Sequence, residues 1–194
     1  MIYLIRHGET AFNAEGRFQG ALDSPLTAHG RAQAAAVGAT LAKLVAADTP
    51  MVSSPLGRAR ETAELVRRTG RLSGPLLIDP RLAEISIGEW DGLTDEDIES
   101  AYPGARAGHD RWDWHFHAPG GETYDRFRTR LRDWLSAALA MESPLIAVSH
   151  GGCSRMLRGL HLGLPRETFL KLHVPQDVIY RLDDSGVETI EVSA

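Results

Sequence analysis

Cysteine is almost missing from this 194-residue chain: Cys153 stands alone, so no internal disulfide can form and no thiolate set exists for a structural zinc. That usage points to a reducing, cytoplasmic setting. Lysine is nearly as scarce, with only Lys43 and Lys171 against 19 arginines, and no Gly-rich loop ends in Lys-Ser or Lys-Thr, which excludes a P-loop nucleotide kinase. Positive charge is not in excess either. The formal net charge of −5 has the wrong sign for a protein that binds nucleic acid or an anionic membrane. No apolar run approaches the roughly 20 residues of a membrane-spanning helix. The apolar start, Met1 to Ile5, meets Arg6 and His7 at once without a basic leader or a small-residue cleavage site, so the chain reads as neither exported nor embedded. Internal repeats, low-complexity tracts and Pro/Ser-rich linkers are lacking too. What remains, 43% hydrophobic and 24% charged residues, is the balance of a globular chain with one core, read here as a single domain over 1–194.

Short continuous apolar runs recur at Ile2–Ile5, Met51–Ser53, Leu76–Ile78, Leu145–Val148 and Val178–Tyr180, the pattern of strands buried on both faces; Val187 to Val192 alternates like an edge strand. Between them lie helical stretches. Thr27 to Ala47 is Ala-rich with Thr27 as N-cap, Arg58 to Arg68 has apolar residues at helical spacing, and Thr123 to Met141 repeats apolar residues every three or four positions. The alternation predicts an α/β three-layer sandwich, a mostly parallel sheet flanked by helices, whose ligands gather at the carboxyl ends of the strands. Residues 88–121 fit neither pattern. Rich in Gly, Pro, Trp and His, with Thr94 capping a short acidic helix to Tyr102, they are expected to form a lid-like insertion over that site.

Two strand ends carry a histidine followed by glycine: Arg6-His7-Gly8-Glu9-Thr10 and Ser149-His150-Gly151-Gly152. Equivalent ends bring the two imidazoles together where small residues let backbone approach a ligand. A third strand runs into Ser54-Pro55-Leu56-Gly57-Arg58, placing Arg58 in the first turn of the next helix, where backbone amides also point, so that Arg6, Arg58 and the helix end form an anion pocket. The fourth leads to Glu84, one carboxylate near the same rim.

With these residues in place the chain resembles the histidine phosphatase superfamily, the phosphoglycerate-mutase-like group. The resemblance is carried by Leu4 to Thr10, Asn13, Gln19-Gly20, Asp23 to Thr27, Ser53 to Ala63, Glu84 to Gly92, Pro119 to Glu122 and Ser149 to Gly151, blocks in the right order over nearly the whole chain. It implies that His7 accepts the phosphoryl group, that Arg6, Arg58 and His150 clamp it, and that Glu84 donates the proton. It also implies substrate contacts at Asn13 and Gln19, with Gly20 and Gly151 beside them, and neither a metal nor an organic cofactor. Elementary chemistry agrees with those roles. Neutral imidazole is a nucleophile at neutral pH, arginine forks match phosphate oxygens, and one carboxylate can serve as acid and then as base. The expected enzyme is a phosphomonoesterase acting on a small phosphorylated metabolite, with the oligomeric state, monomer or homodimer, left open.

Four rivals are weighed. A cofactor-dependent phosphoglycerate mutase would use the same phosphohistidine. Family mutases, however, resemble this chain chiefly in the first block, and they carry adjacent arginines in the insertion and Asn-Lys where Leu93-Thr94 stands here; Arg106 and Arg111 are the cations left to grip a carboxylate. A metal-dependent hydrolase is suggested by His109, Asp110, Asp113, His115 and His117, without a His-Glu-x-x-His signature. A cysteine phosphatase needs five residues between Cys and Arg, whereas Cys153 and Arg158 have four. A non-catalytic phosphate-binding module would not be expected to keep both histidines, both arginines and Glu84. The aromatic group Trp90, Trp112, Trp114, His115 and His117 is read equally as a frame for the leaving group and as packing.

Overall fold

Strand alternation decides the layers. In a computed structural model that describes residues 1–110 and 112–192, Ile2 and Leu4 of the first strand face one apolar core while Tyr3 and Ile5 face another, and all four are buried. The order of elements is β1 (Ile2–Arg6), α1 (Ala11–Ala14), α2 (Ala28–Leu41), β2 (Met51–Ser53), α3 (Gly57–Gly70), β3 (Leu76–Ile78), α4 (Asp95–Ala101), α5 (Tyr124–Leu139), β4 (Leu145–Ser149), α6 (Gly151–Leu162), α7 (Arg166–Phe169), β5 (Val178–Asp183) and β6 (Gly186–Glu191). One sheet runs β3-β2-β4-β1-β5-β6. Val37 and Leu41 of α2 with Ala59, Ala63 and Val66 of α3 cover one face. Phe127, Leu131 and Trp134 of α5 with Met156 and Leu157 of α6 cover the other.

The first four strands in that order are mutually parallel, while β5 pairs antiparallel with β1 and β6 antiparallel with β5, so the sheet is mixed. Arg6 stands opposite Ser149, and Ser53 opposite Val148. This register brings the next residues of three strands, His7, His150 and Ser54, to one edge of the sheet.

Two expectations are corrected. The Ala-rich helix begins after its Thr27 cap as predicted but ends at Leu41, with Ala42 as its C-cap and turns over residues 42–44 in place of the expected last turns. Strand β3 is an exposed edge, with Leu77 60% and Ile78 46% accessible, although its run of apolar residues reads as a buried strand. Residues 88–121 hold α4, capped by Thr94, between short 3₁₀ turns at Gly88–Trp90 and Trp114–His117. Trp90, Ile98, Trp114 and Phe116 from this segment are buried in the main core, and Trp112, Trp114 and His115 reach the wall of the cavity described below.

Candidate active site

The turn after β1 is held by close backbone crossing. A Cβ at Gly8 would lie 2.2 Å from the Gly30 carbonyl oxygen in the first turn of α2, and Gly8 N–H donates to Thr62 Oγ1 at 3.1 Å. This fixes His7, only 3% exposed, on the wall of a cavity. His7 Nδ1 donates to the Gly8 carbonyl at 2.8 Å, which leaves the lone pair on Nε2. Burial, then the charges of Arg6 and Arg58, hold the imidazole well below the ordinary histidine pKa; the Gly8 bond opposes them only in part.

Arg6 donates from Nη1 to the Val174 carbonyl at 2.6 Å, and burial draws its pKa down to about 10. Arg58 is fixed from three sides, by the Leu22 carbonyl at 2.5 Å, the Gly20 carbonyl at 2.9 Å and Asp23 Oδ1 at 3.0 Å. Burial lowers its pKa while Glu84 and Asp23 push back. The Nε groups of both arginines are buried without a partner among the described residues. The expected contribution of the helix end is corrected: the Gly57 and Arg58 amides at the start of α3 donate to the Asp23 carboxylate at 2.5 and 3.2 Å, so those amides are already taken. Asp23 thus caps α3 and orients Arg58 from 35 residues away in sequence.

His150 is wholly buried and stands behind His7, ring centroids 5.1 Å apart, rather than on the cavity wall. Its Nε2 lies 2.7 Å from Ser54 Oγ, and its Nδ1 has no partner among the described residues. Burial and then Arg58 keep it neutral. Glu84 does reach the wall. Its carboxylate accepts from the Ile85 amide at 3.0 Å and from the Gly152 amide, in the first turn of α6, at 2.9 Å, while Arg81 pairs instead with Asp79. Cys153 is a buried thiol beneath this carboxylate, 3.1 Å from the Ala83 carbonyl.

The cavity measures about 410 Å³ and is also lined by Asn13, Gln19, Gly20 and Gly151. Asn13 Oδ1 accepts from the Thr10 amide and from Gln176, and Gln19 Oε1 accepts from Ser24, so each side-chain oxygen is engaged. Trp112, Trp114 and His115 join the wall with Phe18, Ile85 and Ile87, whereas Trp90 is core and His117 stacks on His109 outside the cavity. His115 is held down to about 4 by burial and then by Arg155 and Arg166. The histidine-rich stretch does not form a metal site: among the described residues no three His, Cys, Asp or Glu side chains converge, and Asp113 is paired with Arg166. Arg106 is tied to Asp95, and Arg111 lies outside the described residues. Arg17 and Arg155, both on the wall and unforeseen from sequence, are cations the fold adds to the site.

The family model described as histidine phosphatase superfamily (branch 1) matches residues 2–189. A glucosyl-3-phosphoglycerate phosphatase of Mycolicibacterium vanbaalenii is 39% identical over 176 residues, covering 84% of this chain and 75% of that protein. A protein of Escherichia fergusonii named "Probable phosphoglycerate mutase GpmB" is 37% identical over 193 residues, covering 94% and 84%. The solved mycobacterial glucosyl-3-phosphoglycerate phosphatase Rv2419c, in complex with VO3, superposes with a TM-score of 0.78 at 30% identity, covering 98% of this chain and 96% of that one.

Proposed function

The chain belongs to the histidine phosphatase superfamily, and from that membership we propose that it hydrolyses small phosphomonoesters through a phosphohistidine formed on His7. The observation that carries the reading is the pair of buried polar atoms beside that histidine that have no partner among the described residues, Arg6 Nε and Arg58 Nε, both on arginines of the cavity wall. Donors left unsatisfied in a buried place cost stability unless a ligand engages them. Three phosphoryl oxygens, over which negative charge spreads during transfer, suit them. Their guanidinium planes are already fixed by backbone carbonyls, so little reorganisation accompanies the reaction.

In the first step the Nε2 lone pair of His7 attacks phosphorus, the bond to the leaving oxygen breaks, and Glu84 supplies that oxygen's proton. In the second, Glu84 takes a proton from water as the water attacks the phosphohistidine, the N–P bond breaks and inorganic phosphate departs. Asn13 and Gln19 turn their side-chain amides to the substrate. The partly exposed Asn13, Trp112, His115 and Arg155 leave the leaving-group side open to water, which favours hydrolysis over return of the phosphoryl group. Every group in this scheme comes from one chain, so it holds for a monomer and a homodimer alike. No helix among the described residues is long and apolar enough to cross a membrane, and the single free thiol favours the reducing cytoplasm.

Phosphate release from a panel of phosphorylated sugars, acids and nucleotides, ranked by kcat/KM, tests the reading. The relatives named as mutases motivate one further arm, 3-phosphoglycerate with a trace of the 2,3-bisphosphate. Phosphate release outpacing formation of 2-phosphoglycerate is expected. Isomerisation much faster than release would establish a mutase instead.

A further inference from the structure

Glu84 stands on a stretch without regular structure, since residues 84–87 belong to neither helix nor strand. The backbone there has no ladder of its own, so its carbonyls must find donors in other elements. Ser149 Oγ, at the end of β4, donates to the Leu82 carbonyl at 2.8 Å, and the Cys153 thiol of α6 donates to the Ala83 carbonyl at 3.1 Å. The Glu122 amide, ahead of α5, donates to the Ser86 carbonyl at 2.7 Å. Two carbonyls go to a single side chain: Arg130 of α5 donates from Nη1 to Arg81 at 2.5 Å and from Nη2 to Glu84 at 3.3 Å. One guanidinium thus spans the turn that carries the carboxylate.

Arg130 is itself held fast. Its Nε and Nη2 donate to the two carboxylate oxygens of Glu122 at 2.7 and 2.8 Å, and its guanidinium carbon lies 4.8 Å from the centre of the Phe127 ring, three residues earlier on α5. Such a two-bonded fork fixes direction as well as distance. The side chains of Arg130 and Glu122 are only 20% and 16% exposed, unlike the open surface pairs that contribute little. Neither residue lines the cavity, so neither can touch a substrate there. The Gly152 amide fixes the carboxylate end of Glu84, and Arg130 fixes its main-chain end.

We propose that Arg130, braced by Glu122, is a positioning residue for proton donation: it holds the main chain at Arg81 and Glu84 so that the Glu84 carboxyl meets the leaving oxygen. The proposal rests on the reading of Glu84 as the acid of a phosphatase.

Leaving groups separate this role from a general loss of stability. p-Nitrophenolate departs without a proton whereas an alkoxide needs one, and kcat/KM reports the transition state in which that bond breaks. In Glu84→Gln, kcat/KM for the best alkyl ester of the panel above is expected to fall by about 10²- to 10⁴-fold, the range of a general acid, and for p-nitrophenyl phosphate far less. Arg130→Gln should reproduce this split at about ten- to a hundredfold on the alkyl ester, the scale of a misplacement of about 1 Å. Added to Glu84→Gln it should cost little more on that ester, because both substitutions act through one group. An equal loss on the two esters, whatever its size, overturns the proposal, as does a full further loss in the Glu84→Gln background. Where Arg130→Gln yields no folded protein by circular dichroism, Glu122→Gln, which keeps the arginine, decides by the same ratio. An equal fall on both esters in Glu84→Gln would instead remove Glu84 as the acid, and no turnover of any alkyl ester by the wild type would remove the phosphatase reading; either result takes the positioning role with it.

Discussion

His7 is useful as a nucleophile only while it is uncharged, and its surroundings enforce that state: burial disfavours the imidazolium, and Arg6 and Arg58 repel it. An NMR titration should therefore find the His7 and His150 rings neutral as pH falls through about 6.5, the unperturbed value. A midpoint at or above that value would contradict the assigned environment. Arg58 contributes fixed positive charge, so Arg58→Ala should lower kcat/KM by roughly 10²- to 10³-fold, the usual loss for one preorganised donor in a dry site. A change below about threefold would take Arg58 out of the clamp. His7 and His150 were legible as strand-end groups because each closely follows an apolar run, whereas Glu84 lies past β3 and the turn at Pro80–Leu82 and was marked only by the resemblance. Arg155 was not legible, since a helical arginine among 19 carries no local mark of facing a cavity. Asp23 was likewise hidden, because its partners lie 34 and 35 residues away and only the fold joins them.

At the scale of elements, two helix starts are occupied by carboxylates, and each occupation places a group of the site. Asp23 at α3 sets Arg58; the Gly152 amide at α6 sets Glu84. A Cβ on Gly152 would fall 2.6 Å from Glu84 Oε1, so Gly152→Ala must displace the carboxylate. Alanine is the better helix former by about 1 kcal/mol. The expected outcome is thus a loss of activity of about tenfold or more with thermal stability kept or raised, read from kcat and Tm on the same preparation. Unchanged kcat would mean that the position of Glu84 does not matter. The helix caps Thr27 and Thr94 were readable, because an N-cap is a local signature. Where α2 stops and that β3 lies at the exposed edge were not, since alanine favours helix without marking its end and an apolar triplet reads alike in a central and an edge strand.

For the whole molecule, the parallel strands β2, β4 and β1 gather the chemistry at one end of the sheet, while the antiparallel β5 and β6 extend it on the side away from β2 and β3. The alternation of strands and helices foretold the sandwich, but strand direction after α7 depends on a connection whose path no residue pattern encodes. Gathering buried cations and neutral histidines has a global consequence. In the folded chain His7 and His150 resist protonation, whereas the unfolded chain takes up those protons below about pH 6.5. Their contribution to stability is therefore present above that pH and lost as pH falls. Tm should drop from about pH 7.5 to about pH 5, with a shallower slope in His7→Gln and a rise on adding inorganic phosphate, which binds only the folded site. A slope no shallower in His7→Gln would contradict this. The account turns on a covalent phosphoryl group at His7, and intact-mass and peptide mapping of enzyme quenched in alkali during turnover tests that most directly. The expected result is an adduct of one phosphoryl group, acid-labile and base-stable, located on His7 and absent from His7→Ala, which folds but does not turn over. An adduct on another residue, or one retained in His7→Ala, would contradict it.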